Sequence, residues 1–399
     1  MKLKHLTTIL LLTIVVHAEA QVNSNALKVA KGNNEFSFDL LRQLFDAKKN
    51  IFFSPYGASA ALAMTYAGSK GETEAQMCKI MHFDRSQLNT HQGFNSIDSI
   101  LLEYQKKGTL ELTVANALWK KPTILFKPDY LDLTGKYYHA AVFDLPTTAA
   151  PINKWAEEHS NGKITNLLTD LEIQNSKLVL TSAIYFKSDW SSPFDAAKTT
   201  KKKFKLLKTE AKKVEMMSKT HWSGYYEDDD NQVLTLPYKE DNTFMLVVLP
   251  KKEDGIAKLV TTFDEKKLNE YQTKLRNERV DILLPKFKFS TDIDLSSKLK
   301  EMGMGIAFTN SSDFSGMSDT LLKINQAKQK AFIEVNEKGS EATAITLVGM
   351  VASGSRRHAR PPSPKPFKAD HPFLFFIMEK KTHAILFSGC VLDPTKEDN

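Results

Sequence analysis

The segment from Phe332 to Thr346 constrains the fold more than any other part of this 399-residue chain. It starts with the alternation of a β-strand, passes Gly339, and continues through small residues toward a polar loop. If the residues after Gly339 join a sheet, successive side chains point to opposite faces. One face then carries the small side chains of Ser340, Ala342, Ala344 and Thr346, and the other carries Glu341, Thr343 and Ile345. Gly339 supplies a backbone that can change the sign of φ, as a hinge requires. The segment therefore predicts a loop that can become a strand.

The N-terminus has the pattern of a secretory signal peptide. Two lysines precede an apolar run from Leu6 to Val16, and Ala18-Glu19-Ala20 places small residues at a cleavable spacing. The run is too short and wrongly flanked for a membrane span. We expect residues 1–20 to be removed and the mature chain, from Gln21, to be secreted to the extracellular space, with no membrane partner.

The composition is that of a globular protein with few cysteines. Hydrophobic residues make up 42% and charged residues 25%, with a net charge of +7, so extended disorder is excluded. A secreted chain of this size with two cysteines is held by its core and not by a disulfide framework. Cys78 and Cys390 could pair, since the sequence gives no geometry, but two separate buried thiols is the simpler interpretation.

Apolar periodicity predicts an α+β protein with large mixed sheets in one domain, residues 21–399. The predicted helices are 34–45, 57–68, 94–104, 152–159 and 295–301. The predicted strands are 50–55, 112–120, 177–186, 244–249, 280–289, 331–336, 373–378 and 384–391. A segment rich in proline, serine and arginine, residues 353–365, lies between two of these strands. Its composition cannot bury apolar surface, so we expect an exposed functional loop over about residues 337–366.

A series of motifs follows the order found in one protein family. They are Asn50–Pro55, Ala61–Gly68 with Gly71–Thr73, Ala115–Trp119, Ile152–Trp155 with Gly162–Ile164, Ala183–Lys187 with Trp190, Leu284–Phe287 and Phe367–Ile377. With these motifs the chain resembles the serpins, a family of serine protease inhibitors, over essentially all of the mature sequence. The resemblance implies about nine helices around three β-sheets, with an exposed reactive-centre loop as protease bait. It also implies a hinge made by Glu337, Gly339, Ser340, Ala342, Ala344 and Thr346.

The inhibition implied by this resemblance is a suicide trap by a monomer. The serine of the target protease attacks a loop carbonyl and forms an acyl-enzyme. The cut hinge then inserts into the main sheet, drags the protease along and distorts its oxyanion hole, so that deacylation stalls. The rival is a non-inhibitory serpin that acts as a carrier or chaperone, whose hinge would be expected to carry charged, proline or bulky inward residues.

Two ways of counting along the loop give different scissile bonds. Counting from the hinge glycine, as in inhibitory relatives, gives the bond between Ser353 and Gly354. Counting back from the C-terminal signature gives a bond near His358 or Ala359. We favour the first bond. Extra residues before the bond would lengthen the tether of the acylated protease, and a slack tether would spare the protease from distortion. That choice suits an elastase-like protease with a small apolar pocket.

Arginine residues give an alternative bait. Arg356 and Arg357 would suit a trypsin-like protease, whose specificity pocket carries a buried acid. Arg360 is a poor bait because Pro361 follows it.

The family's sheet-opening cluster is altered in this sequence. The resemblance places Ser54, Ser182, Trp190 and Gln329 in it. Ser182 replaces the usual asparagine, Gln329 the usual histidine, and Gly57 the usual serine. A glycine has no side-chain donor or acceptor, and serine reaches less far than asparagine. We expect these changes to affect the rate of loop insertion and not the fold.

Other motifs give weaker indications. A basic run contains Lys201, Lys202, Lys203 and Lys205 and is a candidate contact for a sulfated glycosaminoglycan, although a solvated face is the commoner role of such runs. Asn310 lies in the single glycosylation sequon. No catalytic, metal-binding or nucleotide-binding motif occurs, so we expect no enzyme activity, no metal and no nucleic-acid partner.

Overall fold

The computed structural model of the chain describes residues 22–138, 141–207, 209–340 and 363–397. The predicted signal peptide, residues 1–20, lies outside them. Ten α-helices and fifteen β-strands fall within the described residues. None of these helices has both the length and the apolar content needed to cross a membrane.

Helices dominate the first third of the chain, as the apolar periodicity predicts, and five more follow it. They are α1 (Ser24–Leu44), α2 (Pro55–Tyr66), α3 (Gly71–Ile80), α4 (Gln87–Lys106), α5 (Pro128–Tyr138), α6 (Ala150–His159), α7 (Asp170–Ile173), α8 (Ile256–Thr262), α9 (Glu265–Lys274) and α10 (Leu295–Glu301). α1 begins ten residues before the predicted start, because the Asn23 side chain accepts a hydrogen bond from the Ala26 amide and caps the helix.

The strands lie mainly in the later two thirds. They are β1 (Ile51–Phe53), β2 (Glu111–Lys120), β3 (Ala141–Asp144), β4 (Leu178–Asp189), β5 (Thr200–Phe204), β6 (Lys212–Glu227), β7 (Asn231–Pro237), β8 (Thr243–Pro250), β9 (Arg276–Pro285), β10 (Phe287–Asp294), β11 (Gln326–Val335), β12 (Gly339–Ser340), β13 (Lys365–Lys368), β14 (Phe373–Glu379) and β15 (Ile385–Val391). The predicted strand 280–289 is divided between β9 and β10. These two strands belong to different sheets and are separated at Lys286.

The strands of the described residues form two sheets, whereas the family resemblance implies three. The nine-stranded sheet has the order β1-β15-β14-β8-β7-β6-β9-β13, with β5 also paired to β6. β6 is 16 residues long. Its last residues, Tyr225–Glu227, pair with β7, and residues 216–225 pair with β9. Because one continuous strand belongs to both groups of strands, two of the three expected sheets form a single hydrogen-bonded network.

The six-stranded sheet has the order β10-β11-β12-β4-β2-β3. α2 lies beneath it and is buried along its whole length. Ser54 caps α2, since its hydroxyl oxygen accepts a hydrogen bond from the Gly57 amide at 2.9 Å, and Pro55 occupies the first helical position, where no amide proton is needed. The small residues that follow let the helix pack closely under the sheet.

The two cysteines are not bonded to each other. Cys390 is buried in β15 and Cys78 is half-buried in α3, and both are free thiols. The thiols are therefore separate, as the simpler interpretation expects, although only Cys390 is fully buried.

Candidate functional site

β4 and β11 pair directly with each other in one half of the six-stranded sheet, at residues 179–184 and 326–331. We call this half the lower half, and the end of β4 nearer Ser188 the upper end. The two strands are parallel and in register from Gln326 opposite Val179 to Ala331 opposite Ile184. Toward the upper end the short strand β12 lies between them. There Ser340 is opposite Val335 on one side and opposite Ser188 on the other. The sheet is thus closed below and already holds the first residues of a further strand above.

A tight turn reverses the chain between β11 and β12. The Asn336 amide donates to the Gly339 carbonyl at 3.0 Å, and the Lys338 amide donates to the Asn336 side-chain oxygen at 3.0 Å. This turn places the hinge in the gap at the upper end of β4.

Gly339 is needed for close approach and not for an unusual φ. A Cβ atom at this position would lie 2.2 Å from the carbonyl oxygen of Ser188. No L-residue can occupy that space without moving the backbone of β4. The residue does not adopt a left-handed φ, so the reason predicted from the sequence differs from the one found here.

Ser340 points inward, as the alternation predicts. Its hydroxyl lies 2.6 Å from the hydroxyl of Tyr238, and both side chains are buried. Tyr238 stacks on Trp190 with ring centroids 4.6 Å apart. The Trp190 indole donates to the Asn336 carbonyl at 3.0 Å, and its amide donates to the Lys338 carbonyl at 2.7 Å. Burial raises the pKa of Tyr238, so its hydroxyl remains protonated. A small polar side chain at position 340 is therefore accommodated under the sheet.

Glu337 fixes the turn to the nine-stranded sheet and its neighbours. Its carboxylate accepts a hydrogen bond from the Thr199 hydroxyl at 2.8 Å and lies 3.3 Å from the Lys286 ammonium. Its carbonyl accepts a hydrogen bond from the Phe194 amide at 2.8 Å. Burial opposes ionisation of the carboxyl, but Thr199 and Lys286 outweigh it and hold the pKa of Glu337 below its usual range.

The sheet-opening cluster lies under the closed part of the sheet. The Ser54 amide donates to the Gln329 side-chain oxygen at 2.9 Å, and the Gln329 side-chain nitrogen donates to the Ser54 carbonyl at 3.0 Å. The Ser54 hydroxyl donates to the Leu386 carbonyl at 2.7 Å. Gln329 therefore replaces a histidine with a side chain that satisfies two buried backbone groups at once.

Ser182 is in the cluster but forms no side-chain hydrogen bond there. It lies opposite Gln329 on one side and opposite Asn116 on the other. Its hydroxyl and the Asn116 side-chain oxygen are buried without a partner among the described residues. The short reach predicted for serine at this position agrees with that observation.

Trp190 does not belong to this cluster. It follows β4 eight residues after Ser182, which is about 26 Å along an extended strand. Its contacts are with the hinge turn and with Tyr238. The structure therefore assigns Trp190 to the hinge and corrects its predicted place.

A close contact, which the sequence does not reveal, explains why position 57 is a glycine. A Cβ atom there would lie 2.0 Å from Cδ1 of Ile184 and 3.1 Å from the Ser182 hydroxyl. The isoleucine of β4 fills the space that a serine side chain at position 57 would use. Only the three-dimensional contact links positions 57 and 184.

A strap formed by residues 160–177 crosses the outer face of β11. Glu172 of the strap lies 2.7 Å from the Lys328 ammonium, and Lys330 donates to the Asn166 carbonyl at 3.5 Å. Although burial opposes its ionisation, Lys328 and Thr169 hold the pKa of Glu172 below its usual range. Sequence reasoning missed this contact. The one sequence feature that indicates it is the alternation of lysines with buried residues in β11.

The predicted glycosaminoglycan contact lies on the edge strand β5 and on Lys205, the residue that follows it. Lys201, Lys202 and Lys203 are exposed, and Lys203 is directly opposite Lys213 on β6. Lys205 is paired with Glu253. Three of the lysines are thus open to solvent, while the fourth is paired with a carboxylate.

The remaining predicted sites are exposed or lie outside the described residues. Asn310 is exposed, and the third residue of its sequon, Ser312, donates its hydroxyl hydrogen to the Leu322 carbonyl at 2.6 Å. The inner hinge residues and both candidate scissile bonds lie outside the described residues, namely Ala342, Ala344, Thr346, Ser353, Gly354, Arg356 and Arg357.

Comparison with known proteins decides the family. The family model described as "Serpin (serine protease inhibitor)" matches residues 31–394. The chain belongs to the serpin family. Members of this family in general bind target serine proteases. They act as protease inhibitors and not as catalysts. The predicted α+β serpin fold is confirmed, with two sheets where three were expected.

Curated serpins match along nearly their whole length. Serpin B6 of Pongo abelii is 37% identical over 382 residues, which cover 92% of this chain and 99% of that protein. Serpin B4 of Homo sapiens is 36% identical over 393 residues, with the same coverage. An uncharacterized serpin-like protein of Methanosarcina acetivorans is 36% identical over 406 residues, which cover 96% of this chain and 92% of that protein.

Solved serpin structures are similar to this fold. Human thyroxine-binding globulin, complexed with thyroxine, matches with a TM-score of 0.83 and 29% identity, covering 94% of this chain and all of that one. Tengpin, a thermophilic serpin in its native state, matches with a TM-score of 0.82 and 28% identity, covering 92% of this chain and 94% of that one.

Replacing Ser182 by alanine is expected to raise the unfolding temperature of this serpin. The change removes a buried hydroxyl without a described partner and so relieves a desolvation penalty of about 1 kcal/mol. Ser388→Ala is the matched control, because its buried hydroxyl lies 2.5 Å from that of Ser37 and its loss destabilises.

Gln329→Ala leaves two backbone groups of Ser54 unpaired and is expected to lower stability by about 3 kcal/mol. Thermal unfolding of the three variants checks this, and a Ser182→Ala variant that is as destabilised as Ser388→Ala would contradict it.

The Glu337 contacts should make stability depend on acidity. Because the folded pKa is depressed, their contribution is present above the unfolded pKa and is lost as the pH falls through the folded value, below about pH 4. We expect Glu337→Gln to be less stable than the wild type at pH 7 by up to about 1 kcal/mol, since the pair is partly screened. The difference should vanish toward pH 3.

Unfolding temperatures measured between pH 7 and pH 3 test that dependence. Glu253→Gln, which removes the surface partner of Lys205, is the control and should leave stability nearly unchanged, because solvent screens an exposed ion pair. A constant difference between wild type and Glu337→Gln over this range would show that ionisation of Glu337 plays no part.

Proposed function

We propose that this serpin is a secreted suicide inhibitor that traps a serine protease as a covalent acyl-enzyme. The observation that carries the proposal is the position of β12, which already lies between β4 and β11 as the start of a new central strand. The segment that would follow it has small side chains at every second position. The N-terminal pattern of residues 1–20 supports secretion.

The pairing pattern gives insertion a thermodynamic direction. β12 is antiparallel to both of its neighbours, whereas β4 and β11 are parallel to each other. A strand that continues β12 downward would exchange one parallel ladder for two antiparallel ladders. Antiparallel pairs are slightly more stable per residue than parallel pairs. The uncut loop cannot make this exchange in full, because its other end is fixed in β13.

Cutting the bait removes that restraint while the protease is still attached. The protease serine is acylated by the residue before the cut, so insertion of the hinge carries the enzyme with it. Distortion of the oxyanion hole removes a donor worth roughly 10²–10³ in rate. Deacylation then stalls, and the complex persists.

The bond between Ser353 and Gly354 is proposed as the bait, which suits an elastase-like enzyme with a small apolar pocket. Arg356 and Arg357 are the alternative for a trypsin-like enzyme. The exposed lysines of β5 support a further proposal, namely that a sulfated polysaccharide binds there. Asn310, exposed on a loop, is the proposed glycosylation site.

A carrier function is the second candidate, because the fold is similar to thyroxine-binding globulin in complex with thyroxine. A carrier needs no insertion. The buried contact of Ser340 with Tyr238 favours the inhibitor, since it shows that a small inward side chain at the start of the hinge fits under the sheet.

Incubation with elastase-, chymotrypsin- and trypsin-like enzymes tests the proposal. The expected result is a complex that resists SDS, with mass spectrometry of the released peptide locating the bond. The cleaved serpin should also melt at a higher temperature than the intact one. Rapid cutting without a complex and with an unchanged melting temperature would favour the carrier.

Replacing Ala344 by arginine tests the insertion step directly. An arginine pointing inward should block insertion, because burying its unpaired charge is costly, and the variant should become a substrate. Thr343→Arg is the matched control, since strand alternation predicts a solvent-facing side chain at this position after insertion, and the number of serpin molecules used per protease should stay unchanged. Equal inhibition by both variants would refute insertion of this segment.

A further inference from the structure

Trp222 is the one tryptophan of this chain that the fold leaves exposed. Its side chain is 49% exposed, whereas those of Trp119, Trp155 and Trp190 are at most 8% exposed. Tryptophan is a large apolar side chain, and protein–protein interfaces are enriched in it at their energetically important positions. Its place in the fold therefore indicates where a partner could bind.

The pairing of β6 fixes the direction of this side chain. Ser223 and Tyr225 alternate with it along the strand and are buried, so Trp222 points away from the core. On the outer face it lies opposite Arg279 of β9. Next to this pair, Thr220 and Asp281 are also opposite each other and exposed, and the Thr220 hydroxyl donates to the Asp281 carboxylate at 3.3 Å.

The reactive loop returns to the fold close to this face. β13 pairs with β9 on the side away from β6, and Lys365 of β13 lies opposite Val280, the residue after Arg279. β13 starts only two residues after the segment 341–362 that holds the proposed bait. Trp222 is two strands from that point, or about 10 Å.

A protease that holds the bait is tethered to β13 by the residues that follow the bond, which brings this part of the sheet within its reach. It binds the residues before the scissile bond on one side of its cleft and those after the bond on the other. The residues after the bond are the ones that lead into β13. We propose that the outer face formed by Trp222, Thr220 and Asp281 is a docking surface for the rim of the target protease on that side of its cleft. The inference rests on the proposed function and adds a determinant of which protease is inhibited.

The chemistry of the face defines the complementary surface. The indole ring requires an apolar depression, and the neighbouring hydroxyl and carboxylate require hydrogen-bond donors at its rim. Contacts made before the bond is cut strengthen the first, non-covalent complex. They should change the rate of association and leave the number of serpin molecules used per protease unchanged.

The test compares Trp222→Ala with Leu321→Ala in the full-length protein. Leu321 is also exposed, at 75%, but it precedes β11 at the end of the six-stranded sheet opposite to the hinge. The measured quantity is the second-order rate constant for reaction with whichever of the elastase-, chymotrypsin- and trypsin-like enzymes cuts the loop fastest. We expect Trp222→Ala to lower it about tenfold, and Leu321→Ala to leave it unchanged. Both variants should keep the wild-type melting temperature.

Loop cleavage can be measured even if no trap forms. If the wild type is cut without a stable complex, the proposed function fails, but a tenfold slower cleavage of Trp222→Ala still supports the docking surface. An unchanged rate for Trp222→Ala, or equal slowing by Leu321→Ala, overturns it. A concentration-dependent dimer that Trp222→Ala abolishes at unchanged rate assigns the face to a second copy and also overturns it. A panel in which no enzyme cuts the loop overturns both proposals.

Discussion

The edges of β4 and β11 can be satisfied in two ways, and the rest of the structure is arranged around that choice. In the lower half the two strands satisfy each other through a parallel ladder from residue 326 to residue 331. At the upper end β12 supplies an antiparallel partner to both. Hydrogen-bonding groups at a sheet edge must be paired or solvated. The same edges are therefore available either to each other or to an added strand.

The contacts around the two strands determine how readily they part. Under the sheet, Gln329 holds β11 to the backbone of Ser54 at the start of α2. Above it, the strap residue Glu172 is paired with Lys328 one position earlier in β11. These neighbouring side chains point to opposite faces, so β11 is held from both sides at one level of the sheet. Parting of the strands must break or shift these contacts, and the unpartnered hydroxyl of Ser182 adds no further bond across the gap.

The sequence predicts the strongly apolar parts of this fold and the inward direction of Ser340. Buried strands such as β8 and β14 are continuous apolar runs, and such runs predict buried strands from the sequence alone. β6 was not predicted, because its exposed face inserts lysine, glutamate and serine into the pattern. The count of three sheets came from the family resemblance, and it differs from the observed two because β6 joins two of them.

Tertiary contacts explain the errors within the site. Gly339 is required by the carbonyl of Ser188, Gly57 by the side chain of Ile184, and neither contact is visible along the chain. Trp190 is near Ser182 in sequence, but an extended strand carries it far away. Family motifs indicate which residues matter, whereas strand geometry decides which of them meet.

The two ends of the reactive loop enter different sheets, and this separates recognition from trapping. Ser340 belongs to the six-stranded sheet and Lys365 to the nine-stranded sheet. In the proposed mechanism, an acylated protease stays with the part of the loop that follows Ser340, while the other part remains paired with β9. The protease would then leave the proposed docking surface around Trp222 as insertion proceeds. Contacts on that face act only before the cut, so they can change in evolution to select a partner without altering the hinge that inactivates it.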